Sequence, residues 1–151
     1  MMDVLETVLG SYPSWSLLIV RLTLGAVFFA HGAQKVFGWF GGNGLKGTIG
    51  YFQQALRVPP ALTVLAAFTE CFGGLAMVAG LLARPAALGL IGVMLVAIAK
   101  VHRQHGFFLN WSLQAGKGHG FEMNFALIGM ALAVLVGGAG AVSVDRLFVD
   151  W

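Results

Sequence analysis

Charge is what this sequence has least of. Only 10% of its 151 residues are Asp, Glu, Lys or Arg, where a soluble domain carries about a quarter, so a protein folded wholly in water is excluded. Cysteine is nearly absent. The single Cys71 rules out an intrachain disulfide, a C-x-x-C redox pair and a multi-cysteine metal site. Any electron transfer therefore needs a bound cofactor, a substrate or a partner. The net charge of +3 and the pI near 9.4 come without a Lys/Arg cluster of the kind that tracks a phosphate backbone, which argues against nucleic acid. Residues 1–14 hold Asp3 and Glu6 and no basic residue. That segment lacks the positive start of a signal peptide, and the first apolar run is expected to stay in the mature protein.

What is present is hydrocarbon, 58% of the residues with a mean hydropathy of +0.85, laid out in runs of about the 20 residues that span a bilayer. Four spans are expected, at about 16–36, 61–83, 86–105 and 121–142, the third being the shortest. The fold class is all-α: one integral membrane four-helix bundle over the whole chain, with lipid as its solvent. Arg84-Pro85 makes a tight hairpin between spans two and three. The connections 37–60 and 106–120 are long and share one side. In the first, Leu45, Ile49, Phe52 and Leu56 recur at helical spacing with Lys46, Gln53 and Gln54 elsewhere round the wheel, the pattern of a short amphipathic helix on the membrane surface or against the bundle. Gly73-Gly74, Gly89, Gly92 and the Gly129/Ala133 pair are read as small residues that let helices approach. Trp15, Trp39, Trp111 and Trp151 fall near span ends, as an aromatic belt requires.

The long-loop side carries Lys35, Lys46, Arg57, Lys100, Arg103 and Lys117, and the other side Arg84 and Arg146 with Arg21 nearer that end. By the positive-inside rule the long loops are cytoplasmic and both termini face outward. Arg21 is expected to snorkel to the far surface. Lys46, Arg57, Arg103 and Lys117 read as interfacial anchors.

Glu70 is the exception to these surface roles. It lies about nine residues into span two, roughly 14 Å along the axis, where an unpaired carboxylate would sooner hold a proton than a charge. Intramembrane ionisable groups are functional by default. His31 and Lys35 are four apart on one face of span one and reach the matching depth, so either can partner Glu70; a purely structural ion pair is the competing reading. Lys100, His102, Arg103, His105, His119 and Glu122 complete a polar ring on that side. The candidate catalytic residues are His31 and Glu70, and the candidate substrate-binding residues are Lys35, Lys100, His102, Glu122 and Asn124. No metal site is assigned, because neither H-E-x-x-H nor E-x-x-H occurs. Cys71 reads as packing.

Arg21-Leu-Thr-Leu-Gly25, continuing to Phe28-Phe29-Ala30-His31-Gly32-Ala33-Gln34-Lys35, resembles the opening signature of the DoxX family. Glu70 with Gly73-Gly74, the Gly80 to Pro85 hairpin, Ala99-Lys100-Val101-His102 and Gly120-Phe121-Glu122-Met123-Asn124 match in the same order. The resemblance runs from about Leu18 to Phe148. It implies a four-helix bundle in a bacterial-type inner membrane and redox association, since members include the membrane subunit of a thiosulfate:quinone oxidoreductase. Quinone is then the expected cofactor, although no motif encodes it.

The reading is a membrane subunit of a quinone-linked or small-molecule oxidoreductase system, possessing activity only with a partner subunit if it is an enzyme. The polar pocket would handle protons or a quinone or small anionic substrate, with a protein partner or a second copy beside it. Phe28, Phe29, Phe68 and Phe72 are candidate walls for a ring. Two other classes remain open: a non-catalytic accessory protein for a redox, metal-handling or exported partner, and a small proton-coupled transporter.

Overall fold

A computed structural model describes residues 2–149; Trp151, the side chain of Asp3 and the belt and charge roles expected of them lie outside the described residues. The described residues are helical with no strand, in the order α1 (Met2–Leu9), α2 (Trp15–Val36), α3 (Gly44–Ala55), α4 (Pro60–Ala79), α5 (Ala83–Ala97) and α6 (Glu122–Gly137). The expectation of an all-α membrane bundle with an amphipathic helix after span one holds. Two lengths differ from expectation. The third span is the longest, because α5 continues through a π turn (Ile98–His102) and a 3-10 turn (Arg103–His105), giving 23 residues from Ala83 to His105. The fourth is the shortest, 16 residues ending at Gly137 rather than near 142.

Arg84-Pro85 is not the hairpin turn. The chain turns at Gly80–Leu82, with Gly80 and Leu82 both at positive φ, and Arg84 and Pro85 lie in the first turn of α5, where a missing proline N–H costs nothing.

Leu24, Phe28, Met77, Ala87, Leu90 and Val134 form the centre of a core drawn from α2, α4, α5 and α6. The tightest seam lies between α2 and α4 and is built on Gly25, Gly32 and Gly74. A Cβ on Gly32 would overlap the backbone of Glu70 and Cys71, and one on Gly74 would overlap the backbone of Phe29. Of the glycines expected to serve packing, Gly73 faces Leu90 and Gly89 faces Thr69, but Gly92 and Gly129 face open space. Helical small-residue spacing marks a face without saying whether another helix covers it.

The end of the bundle that carries the termini is sealed by two arginines. Arg21 does not snorkel; it is fully buried. Its Nε donates to Ala139 O (2.8 Å), Nη1 to Val78 O (2.7 Å) and Met77 O, and Nη2 to Val142 O (2.9 Å). Arg84 donates to Gly10 O (3.0 Å) and Leu135 O (2.8 Å). The physical reason is the short α6. Residues after Gly137 leave the helix while still covered by protein, and backbone carbonyls out of reach of water must find donors inside the fold. A five-donor guanidinium can serve several at once. Asp145 completes this node, its Oδ1 accepting from Leu82 N (2.7 Å) and its Oδ2 from Ala83 N (3.0 Å), so that a carboxylate meets the otherwise unpaired N–H groups at the start of α5. Burial pushes the Asp145 carboxyl above its ordinary range, while those two N–H groups and Arg21 pull it back.

At the other end α3 packs on α2 and α4, with Thr48 buried and donating to Lys35 O (3.3 Å). Leu45, Ile49, Phe52 and Leu56 are partly buried, while Lys46, Gln53 and Gln54 are exposed. The amphipathic face therefore turns onto the bundle.

Candidate functional site

Glu70 stands ten residues past Pro60 at the start of α4, about 15 Å along the axis at 1.5 Å per residue, and is 4% exposed. Of the two partners its depth allows, the structure selects Lys35: Nζ of Lys35 forms an ion pair and hydrogen bond with Glu70 Oε2. Helix geometry explains the choice. Every Cα–Cβ bond tilts toward its helix N-terminus, so Lys35, in the last turn of α2, leans into the bundle. Glu70, on the antiparallel α4, leans out to meet it. The Gly32 contact fixes the depth at which they meet by bringing the two backbones together beside Glu70.

The pair borders a cavity of about 980 Å³, near the upper end of the ~300–1,000 Å³ typical of small-molecule sites. Its inner wall is Val27, Phe28 and His31 from α2, and its sides are α4 and α5. On the loop side α3 and the segment after it contribute Tyr51, Leu56 and Arg57, and the third connection contributes Leu109, His119 and Gly120. Most of the lining is apolar; the ionisable exceptions are Lys35, Glu70, His31, Arg57, Lys100, His102, His119 and Tyr51.

The structure thus brings His31, Lys35, Glu70, Lys100, His102 and Asn124 to one cavity. His31 does not pair with Glu70. Among the described residues His31, Arg57 and Lys100 have no hydrogen-bond or ion-pair partner, so their donors are free for a ligand. His102 Nδ1 lies 2.9 Å from His119 O; a carbonyl only accepts, so Nδ1 donates. Asn124 is buried, with Nδ2 3.3 Å from Met94 Sδ, a weak acceptor that leaves most of its amide capacity unused.

Glu122 is the candidate that the structure does not place in the cavity lining. Its Oε2 accepts from Leu109 N (3.0 Å) and its own N–H donates to Phe107 O (2.8 Å). It fastens the third connection over the start of α6, beside the ring contacts of Phe107 with Phe121 and Phe125. Of the four phenylalanines proposed as walls, Phe28 lines the cavity. Phe68 and Phe72 stack on each other on the exposed side of α4, centroids 5.5 Å apart, and Phe29 meets Trp39. Trp15, Trp39 and Trp111 are exposed near helix ends or in the third connection, as belt residues would be.

Two contributors escape a sequence reading. Arg57 looks like a surface anchor, but its positive φ and the Pro59-Pro60 that follows turn the chain back so that it lines the cavity. The only sequence signal is that a basic residue stands where the amphipathic helix must return to span two. Asn110 has no signal beyond its type. It is buried and holds its loop by donating to Gln114 O (3.1 Å) and Lys117 O (2.8 Å) and accepting from Gln114 N (3.1 Å).

Three apolar helices long enough to cross a bilayer, a shorter fourth, and a charge pair facing a cavity within the bundle define a small integral membrane protein with an internal polar site. The DoxX family model matches residues 16–103, more than half of the chain, and the chain belongs to that family. Inner membrane protein YqjF of Escherichia coli (strain K12) is 29% identical over 130 residues, which cover 86% of this chain and 89% of that protein. No solved structure matches the chain significantly. The matched region includes His31, Lys35, Glu70, Lys100 and His102, and stops before Glu122 and Asn124.

Proposed function

We propose that this protein is the membrane subunit of a quinone-linked oxidoreductase system, and that the cavity beside Lys35 and Glu70 is its quinone-binding and proton-handling site. The observation that carries the reading is a buried ion pair on the wall of a mostly apolar cavity of ligand size. A structural pair is normally enclosed by packing, whereas this one faces space. Apolar walls suit a ring, and the free donors of Lys100, Arg57 and His31 suit carbonyl oxygens.

A bound quinone would supply the electron-accepting ring, whose reduction consumes protons as well as electrons. Glu70 is the carboxyl group in the apolar part of the site, and Lys35 holds it there through their ion pair. His31, one turn before Lys35 on the same face, supplies a second titratable group toward the cavity. A partner protein supplies the electrons, since a single buried thiol cannot form an internal disulfide couple.

An inner-membrane location fits the likeness to the inner membrane protein YqjF of Escherichia coli. With Lys35, Arg21 and Arg84 set aside because they are held inside the fold, Lys46, Arg57, Lys100, Arg103 and Lys117 remain on the loop side against Arg146 on the other. That favours cytoplasmic long loops, and a fusion after Trp151 that reports only from the cytoplasm would reverse it. The chemical test is binding of a tail-less quinone analogue to purified protein in nanodiscs, for wild type and Glu70→Gln. Saturable binding that weakens several-fold in the variant supports the site. No binding, or identical binding, removes it.

A further inference from the structure

The cavity is bounded by both α4 and α5. α4 and α5 touch near their hairpin: a Cβ on Gly73 would meet Leu90 at 3.4 Å, and one on Gly89 would meet Thr69 at 3.0 Å. One turn further toward the loops the surface of α5 is open. Gly92 is exposed, and a Cβ there would meet nothing within 4 Å. From that level the two helices bound the cavity through Leu62 and Leu65 on one side and Gly92 and Val96 on the other, and the three larger of these are 55%, 63% and 53% exposed. Leu62 and Leu65 lie in the first two turns of α4 and Val96 near the end of α5, and exposed apolar residues on spanning helices are suited to acyl chains, not water. Toward the loops the same cavity is walled by Tyr51, Leu56 and Arg57 on one side and His119 on the other.

The far end of α5 is shaped differently again. A π turn over Ile98–His102 adds a residue to one helical turn, a device common at functional sites. Ala97, Lys100, Val101 and His102 all line the cavity as a result, a wider arc than one face of an α-helix presents. The unpartnered donors of Lys100 and Arg57 therefore lie at the loop-side end, and the hydrocarbon slot lies beside it.

We infer that the slot between α4 and α5 is a lateral portal, and that the substrate is a membrane-resident amphiphile. Its acceptor-bearing ring lies against Lys100, Arg57 and the Lys35–Glu70 pair, and its long hydrocarbon tail passes out over Gly92 into the bilayer. The inference rests on the quinone reading for the identity of the head and on the geometry of α4 and α5 for the route. Gly92 is the specificity-determining position, because a large side chain there would occupy the slot through which the tail must leave. A water-soluble substrate has no use for such an opening.

Two measurements on the full chain in nanodiscs test it. The first compares a polyprenyl-tailed quinone with its tail-less ring for wild type and Gly92→Phe. The tailed molecule is expected to lose at least tenfold more affinity than the ring; equal losses, or none, overturn the portal. If wild type binds neither, the quinone reading has failed, and the second measurement judges the portal alone. A nitroxide label at Val27→Cys in a Cys71→Ala background sits on the inner cavity wall. Its relaxation by oxygen, which concentrates in lipid, should exceed that by a water-soluble nickel chelate and should fall in Gly92→Phe. Dominant relaxation by the chelate, or no response to Gly92→Phe, overturns the portal whatever the ligand.

Discussion

Lys35 and Glu70 approach from opposite directions, one leaning inward from the last turn of α2 and the other outward from the middle of α4, and they meet on the cavity wall. Breaking a buried pair from one side leaves the other charge uncompensated, which costs about 3–5 kcal/mol, whereas replacing both partners by apolar groups is often neutral. The Lys35 side chain keeps 24% exposure, which places it at the low end. Lys35→Met and Glu70→Leu should each lower stability by about 3 kcal/mol, and the double variant should recover most of that loss. Unfolding in mixed micelles measures all four proteins. A double variant no more stable than the worse single one would mean that the pair is not coupled as described.

Lys100 and Glu122 separate cavity from loop. Both belong to the polar ring visible in the sequence, yet Lys100 lines the cavity without a partner and Glu122 is spent on Leu109 N. A charge-assisted hydrogen bond is worth about 1.5–3 kcal/mol, so Lys100→Gln should weaken binding of the tail-less quinone roughly tenfold. Glu122→Gln should leave that affinity nearly unchanged and speed proteolysis of the 106–121 connection. A reversal of the two effects in a titration and a limited digest would reassign the residues.

Arg21 carries the opposite end of the bundle. Replacing it by Met removes the donors to Ala139, Met77, Val78 and Val142, and each buried carbonyl left without a partner costs about 1–3 kcal/mol. Arg21→Met is therefore expected to cost at least about 3 kcal/mol, enough to prevent accumulation of a marginally stable protein. Arg21→Lys should recover only part of the loss, because an ammonium is a point donor that cannot span four carbonyls. Expression level and thermal midpoint in detergent report both, and a wild-type midpoint for Arg21→Met would contradict the sealing role.

The contrast between Arg21 and Glu70 shows what a sequence can tell about such a protein. Both are ionisable residues inside apolar runs, and hydropathy alone makes both conspicuous. Glu70 could be placed because its depth and the antiparallel neighbour follow from counting residues along two helices. The use of Arg21 could not, because its acceptors lie on two separate stretches, the last turn of α4 and the segment after α6 has ended. The Gly137-Gly138-Ala139-Gly140 stretch marks where the span ends, and α6 does stop at Gly137, but nothing in that stretch says that its carbonyls turn onto Arg21. The portal was illegible for a related reason. Gly89 and Gly92 look alike in sequence, and only the fold sets one against Thr69 and the other toward open space.

The same distinction among glycines gives a sharp test of the seam that sets the Lys35–Glu70 meeting depth. A Cβ on Gly32 would overlap the backbone of Glu70 and Cys71, which cannot move aside as a flexible side chain can. Gly32→Ala must therefore push α2 and α4 apart at the level of the ion pair. Overpacking of this kind costs about 1–3 kcal/mol, and here it should also shift Glu70 enough to weaken quinone binding. Gly129→Ala is the control, since its Cβ would meet nothing within 4 Å. In the interior of α6 it should be neutral, or stabilising by up to ~1 kcal/mol through helix propensity. Thermal midpoints and quinone titrations of the two variants check the pair of expectations, and equal behaviour of Gly32→Ala and Gly129→Ala would show that the helices are not in contact at Gly32.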